Sequence, residues 1–182
     1  HNHVQAMLVL CEQNNIPEIK QYLLRLNDDL TTVDTVIKTG SVTLDAILNS
    51  KLSLIKSHGI PVNAKVTAPG RTDLSDIDLC VIIGNLLDNA MEACDRQGEG
   101  AERFIRVYMG VMKQQLYLSV QNTFDGKKKR VGRLISAKRG GEHGYGICRV
   151  DAIAKRNGGY VNRQSEDGVF ATEVMLPLFR IS

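Results

Sequence analysis

The sequence predicts an α+β fold, a two-layer sandwich with helices on one face of a mixed sheet, preceded by a helical hairpin. Three observations predict it. An a/d seam runs from Ile19 to Ile37, three further amphipathic runs follow, and five short alternating runs lie between and after them. The hairpin is assigned to residues 1–38 and the α+β domain to residues 39–182.

Residues 1–15 read as the tail of a helix with Val4, Met7, Leu8 and Cys11 on one face. Asn14 to Pro17 is a break, and Pro17 can open the next helix. There Ile19, Leu23, Leu26, Leu30, Val33 and Ile37 follow steps of 4-3-4-3-4. Such a hairpin cannot bury its stripe alone, and pairing two of them into a four-helix bundle makes a homodimer. Thr39, Gly40 and Ser41 end the hairpin. Val42 to Ser57 is a helix with Leu44, Ile47, Leu48 and Ile55 inward, and Val62 to Ala68 is a short strand. Pro69-Gly70 turns the chain into a helix from Leu74 to Arg96. The runs Phe104 to Met112 and Gln115 to Asn122 pair across Lys113-Gln114 as a hairpin of strands. After an irregular stretch, Ile147 to Arg156 is helical and Asn157-Gly158-Gly159 stops it. Strands at Tyr160 to Gln164 and Val169 to Leu178 turn at Asp167-Gly168.

Composition excludes several classes. The 43% hydrophobic and 24% charged content is that of a soluble globular protein, and no apolar run is long enough to span a bilayer. Cys11, Cys80, Cys94 and Cys148 have no paired spacing, which fits reduced thiols in a cytoplasmic setting better than a zinc site or disulfides. The 23 Lys and Arg stand against 20 Asp and Glu. Seven of the basic residues fall between Lys127 and Arg139, so the remainder is net negative by four.

The helix from Leu74 to Arg96 carries the chemistry. Leu79, Ile82, Ile83, Leu86, Ala90 and Ala93 form its apolar face, and Asn85, Asp88, Asn89 and Glu92 lie opposite. Asparagine is a poor interior helix residue, so two of them one turn apart ask for a reason beyond packing. Their amide oxygens are hard donors of the kind Mg²⁺ takes beside water and nucleotide phosphates. An amphipathic helix with a merely wet polar side is the plain alternative. Downstream, Gly144 and Gly146 open a helix, where unpaired N–H groups and the helix dipole favour an anion. A basic, glycine-rich segment from Thr123 to His143 precedes them and has the length of a lid. Basic clusters also bind nucleic acid, but this one contains no interleaved aromatic residue between Lys127 and Arg139. Lid, phosphate site and metal ligands together suggest a nucleotide and no nucleic acid. There is no P-loop and no dinucleotide fingerprint.

These stretches resemble a known family. GNLLDNAMEA (Gly84 to Ala93) resembles the N box of the GHKL ATPase superfamily, and HGYGICRVDAIAKRNGG (His143 to Gly159) resembles its second glycine box and the helix after it. TGSVTLDAILNSK (Thr39 to Lys51) and GVFATEVMLPL (Gly168 to Leu178) resemble segments of its histidine-kinase branch related to quorum-sensing and citrate-sensing kinases. The resemblance implies a histidine-kinase ATPase fold that binds ATP and Mg²⁺. Asn85 and Asn89 would hold the metal, and Asn122 would stand where many members place an adenine-reading aspartate. Lys138 and His143 would meet phosphates, and Gly144 and Gly146 would shape the phosphate loop. Tyr145 receives no role. An amide can accept from the adenine amino group but can also donate, which leaves ATP over GTP less firmly set.

Hydrolysing relatives carry a glutamate general base where Asn85 stands, which favours transfer over hydrolysis. The implied protein is a sensor histidine kinase of a two-component system. It would pass the γ-phosphoryl group of ATP to a histidine and then to an aspartate of a response-regulator receiver domain. The family pattern sets the acceptor just before His1. His1 and His3 are weaker candidates, and His58 reads as structural or exposed. Membrane segments would lie upstream. The rival readings are a catalytically silent nucleotide-binding dimeric module and an anti-sigma-type serine kinase, whose members lack the hairpin.

Overall fold

Ser41 opens the first helix, α1 (Val42–Ser57), by accepting the Leu44 N–H on its Oγ at 3.3 Å. Gly59 at φ +68° ends it and lets the Ile60 N–H return to the Ile55 carbonyl. The computed structural model describes residues 36–98, 100–125 and 145–179. Apart from residues 36–38, the expected hairpin lies outside them, as does most of the basic segment.

Leu44, Leu48, Leu52 and Ile55 form the buried stripe of α1. Ile47, expected inward, is only half-buried. Steps of 4-4-3 hold one stripe, and a residue three after Leu44 falls to its edge. After α1 comes β1 (Val62–Val66) and then α2 (Asp76–Asp95). The sequence placed the start of α2 at Leu74. Leu74 is instead a buried anchor whose N–H bonds the Thr72 hydroxyl, and Ser75 at ψ 133° is the non-helical residue before the helix. Five fully or nearly fully buried side chains on α2, Leu79, Ile82, Ile83, Leu86 and Leu87, face the core. Each contributes roughly 1.5–3 kcal/mol on burial. That stripe outweighs two interior asparagines, each costing under about 1 kcal/mol in helix propensity.

The remaining elements are β2 (Ile105–Met112), β3 (Gln115–Thr123), α3 (Tyr145–Arg156), β4 (Tyr160–Glu166) and β5 (Val169–Pro177). The sheet order is β1-β2-β3-β5-β4. β1 and β2 run parallel, with Val62 opposite Ile105, and the crossover that this demands is α2. The other pairs are antiparallel, with Val120 opposite Val107 and Thr172. One sheet face, carrying Val107, Met109, Leu116, Leu118, Val120, Val174 and Leu176, joins the buried stripes of α1, α2 and α3 in one core. The mixed sheet covered on one face is the expected two-layer architecture.

α3 is pinned at its end. The Asn157 N–H bonds Ile153 O, Gly158 takes φ +72°, and the Gly159 N–H returns to Ala154 O. No side chain fits at Gly159, where a Cβ would overlap the Met175 carbonyl oxygen. Among the described residues no helix is long and apolar enough to cross a membrane.

Candidate functional site

Asn85 and Asn89 lie on α2 at the border of its core stripe, and both are half-buried. The Asn85 Nδ2 donates to the Val81 carbonyl at 2.6 Å, one turn back. That turns the NH₂ back onto the helix and leaves Oδ1 as the outward acceptor. Gly146, in the first turn of α3, approaches that oxygen so closely that a Cβ built there would lie 2.6 Å from it. The fold thus brings the second of the two expected glycines onto the first of the two expected asparagines.

α3 is held in this place by Asp78 in the first turn of α2. Arg156 Nη2 donates to Asp78 Oδ1 at 2.6 Å, and Asn157 Nδ2 donates to Asp78 Oδ2 at 3.0 Å. The start of α3 lies by Asn85 and its end by Asp78, so the two helices run antiparallel. Sequence reading missed Asp78 as a positioning residue. Its place in the first turn suggests only a favourable dipole interaction.

The other polar side chains of α2 divide. Lys51 of α1 donates to Asp88 Oδ1 at 2.6 Å, so the charge next to Asn89 is neutralised by a helix that the site reading had not included. Asp88 therefore ties α1 to α2, beyond charging a rim. Glu92 faces Arg96 at 3.9 Å. His58 is an exposed residue with Nδ1 2.9 Å from Asp95 Oδ2, away from the glycine contact.

Asn122 sits near the end of β3, 3% exposed, opposite Ile105 and Phe170. Its Nδ2 donates to the Thr123 carbonyl at 2.9 Å. A carbonyl can only accept, so the amide's NH₂ must face Thr123 and Oδ1 must face the other way. Thr123 in turn meets the end of α2. Its carbonyl and hydroxyl each lie 3.7 Å from Cys94 Sγ, and the hydroxyl also accepts from Gln97 Nε2 at 2.9 Å. Burial pushes the Cys94 and Cys80 thiols up, so both remain protonated. Cys94 is buried, whereas Cys80 is half-buried.

The arrangement is a ruler. Gly146 meets α2 at Asn85, and the Asn122 segment meets it at Cys94, nine residues further on, or about 14 Å at 1.5 Å per residue. The amide oxygens of Asn85 and Asn89, the first facing a cradle that a Cβ at position 146 would fill, are hard neutral donors of a type that fits Mg²⁺. Lys138, His143 and Gly144, and the histidines His1 and His3, lie outside the described residues.

Comparison with known proteins decides the family. Residues 74–177, more than half of the chain and spanning α2 to β5, match the GHKL domain. The chain belongs to the GHKL domain family. A curated relative, a probable C4-dicarboxylate sensor kinase of Halalkalibacterium halodurans, is 25% identical over 187 residues. The match covers 97% of this chain but only 35% of that relative. Among solved structures, the catalytic domain of histidine kinase ThkA superposes with a TM-score of 0.57 at 16% identity, covering 76% of this chain and 93% of that one. The Acinetobacter baumannii histidine kinase AdeS gives 0.59 at 12% identity, covering 97% and 92%. The histidine kinase domain of the Erythrobacter litoralis EL346 blue-light activated kinase gives 0.58 at 15%, covering 86% and 70%. This GHKL domain therefore has the fold of histidine-kinase catalytic domains.

Proposed function

We propose that this GHKL domain binds ATP with Mg²⁺ along α2 and serves as the catalytic part of a sensor histidine kinase. The observation that carries the reading is the approach of Gly146 to Asn85. A backbone that comes this close to an amide oxygen, at the start of a helix, suits phosphate and metal together. Asn122 Oδ1, oriented as an acceptor, suits the adenine amino group at the other end of the ruler. Asn85 and Asn89 would hold Mg²⁺, which supplies neutralisation of phosphate charge when bound. Lys138 and His143 would contact the phosphates, and Gly144 would complete the loop with Gly146.

The reaction class is phosphoryl transfer to an imidazole. Positioning and charge neutralisation dominate that chemistry, and a neutral imidazole nitrogen needs no base on this chain. The asparagine at position 85, in place of a carboxylate, accords with transfer over hydrolysis. The acceptor would be a histidine of the N-terminal hairpin, the hairpin would form the homodimer, and a response-regulator receiver domain would take the phosphoryl group next. The curated relative's printed name, a sensor kinase, supports this reading. The test is incubation with γ-labelled ATP of a chain that carries the expected acceptor just before His1. Acid-labile, base-stable phosphate on that histidine supports the kinase reading. ATP binding without any phosphohistidine supports the silent module.

A further inference from the structure

The sheet face turned away from the helices carries a second cluster that the nucleotide reading does not use. Tyr108 lies over Gly110, where a Cβ would come 2.8 Å from its hydroxyl, and its ring meets Tyr117 at a centroid distance of 5.9 Å. The Tyr117 hydroxyl donates to Glu173 Oε1 at 2.6 Å, and Asn162 Nδ2 donates to Glu173 Oε2 at 2.9 Å. Those two bonds, Tyr117 first, hold the Glu173 carboxyl below its usual range, so it is ionised. Beneath the cluster the Ser119 hydroxyl is buried and short of a full hydrogen bond, although it still pulls against the burial that raises the Tyr117 phenol. Among the described residues no lysine or arginine pairs with Glu173, in contrast to Asp78, Asp88 and Asp151 on the helix side. Around the carboxylate, Met112, Tyr117, Tyr160, Asn162 and Met175 line an open groove of about 530 Å³.

We propose that this groove is a docking site for an arginine side chain presented by a partner protein. An ionised carboxylate held by neutral donors, flanked by tyrosine rings and methionine side chains, complements a guanidinium in three ways. The fork pairs with the carboxylate, the plane stacks on a ring, and the aliphatic stem covers apolar surface. The groove is too open to enclose a free small molecule, which a ligand pocket buries over most of its surface. Tyr160 and Met112 stand 59% and 50% exposed at its rim, where a protein surface can reach them. A second copy whose twofold axis passes through the groove would set one Glu173 against another, an unfavourable like-charge contact. The groove lies on the opposite side of the sheet from Asn122, so its test is independent of nucleotide binding.

The experiment follows the methyl resonances of methionine in the full chain, using an acetylated, amidated tripeptide with arginine between two leucines. Its citrulline counterpart is the neutral control. Met112 and Met175 report on the groove, and the buried Met109 serves as an internal reference. The arginine peptide should shift Met112 and Met175 saturably, the citrulline peptide at least about tenfold more weakly, and Glu173→Gln should lose the difference. Tyr160→Ala, a change at an exposed residue, should weaken binding severalfold with Met109 unmoved. Equal response to both peptides, no response to either, or an unaltered Glu173→Gln overturns the proposal. Concentration-dependent shifts at Met112 and Met175 without peptide assign the groove to a second copy and overturn it equally.

Discussion

The amide oxygen of Asn85 occupies the approach that any side chain at Gly146 would need, since a Cβ there would lie 2.6 Å away. Gly146→Ala therefore separates binding from folding. Alanine is the better helix residue by up to about 1 kcal/mol, so thermal stability should hold or rise slightly. Asn85 must move aside, and ATP affinity should fall about tenfold or more, the equivalent of one charge-assisted contact. Paired melting curves and ATP titrations measure both. Unchanged affinity would remove Asn85 and Gly146 from the proposed phosphate end.

Lys51 and Asp88 offer a second separation. Their pair is partly exposed, 27% and 43%, and is worth no more than about 1 kcal/mol of stability. Removing Lys51 leaves a bare carboxylate next to Asn89. Lys51→Met should weaken ATP binding by about two- to fivefold, more at low salt, and adding Asp88→Asn should restore it. If the double variant binds as poorly as the single one, charge near Asn89 is not the cause.

At the base end, Asn122 presents Oδ1 because its NH₂ is committed to the Thr123 carbonyl. The expected outcome is a preference for ATP over GTP that largely disappears in Asn122→Ala, by roughly tenfold for one lost hydrogen bond in a buried setting. Competition binding with both nucleotides measures it. A wild type that takes GTP as readily as ATP contradicts the assignment.

Gly159 tests the fold apart from the site. A side chain there meets the Met175 backbone oxygen and the side chain of Leu176. Gly159→Ala should cost about 2–4 kcal/mol in urea unfolding, a backbone collision that packing cannot relieve cheaply. A loss below about 0.5 kcal/mol would mean that the start of β4 shifts freely against β5.

A pH dependence follows from Asp45. The Thr39 hydroxyl and then the Thr39 N–H donate to its carboxylate and hold its pKa below the ordinary value. A depressed folded pKa gives stability that is present above the unfolded pKa and lost as pH falls through the folded one. The melting-temperature advantage over Asp45→Asn should therefore shrink on acidification from neutral pH towards about pH 2.5. A constant difference across that range would show that Thr39 does not distinguish the charged form.

Much of this was legible in the sequence because periodicity reports burial. The stripe from Leu79 to Ala90 marked α2, and the same pattern set Asn85 and Asn89 apart from the core. The two strand hairpins followed from alternation and from the turns at Lys113-Gln114 and Asp167-Gly168, where Lys113 and Asp167 adopt positive φ. What escaped was long-range pairing between polar residues. Lys51 with Asp88 and Asp78 with Asn157 join residues 37 and 79 positions apart, and no local pattern encodes such partners. The Tyr117–Glu173 bond escaped for a related reason. Alternation marks both residues as turned from the core, and only the β3–β5 pairing brings them together. Leu74 reads as helical in the sequence because a buried anchor before a helix looks like its first apolar residue.

Calorimetric titration of the full chain with ATP is the most direct test of a Mg²⁺-dependent nucleotide site on α2. Saturable one-to-one binding is expected, weakened about tenfold or more by chelating Mg²⁺ and to a similar extent by Asn89→Ala. Equal binding by the wild type and Asn89→Ala, with or without Mg²⁺, would contradict it.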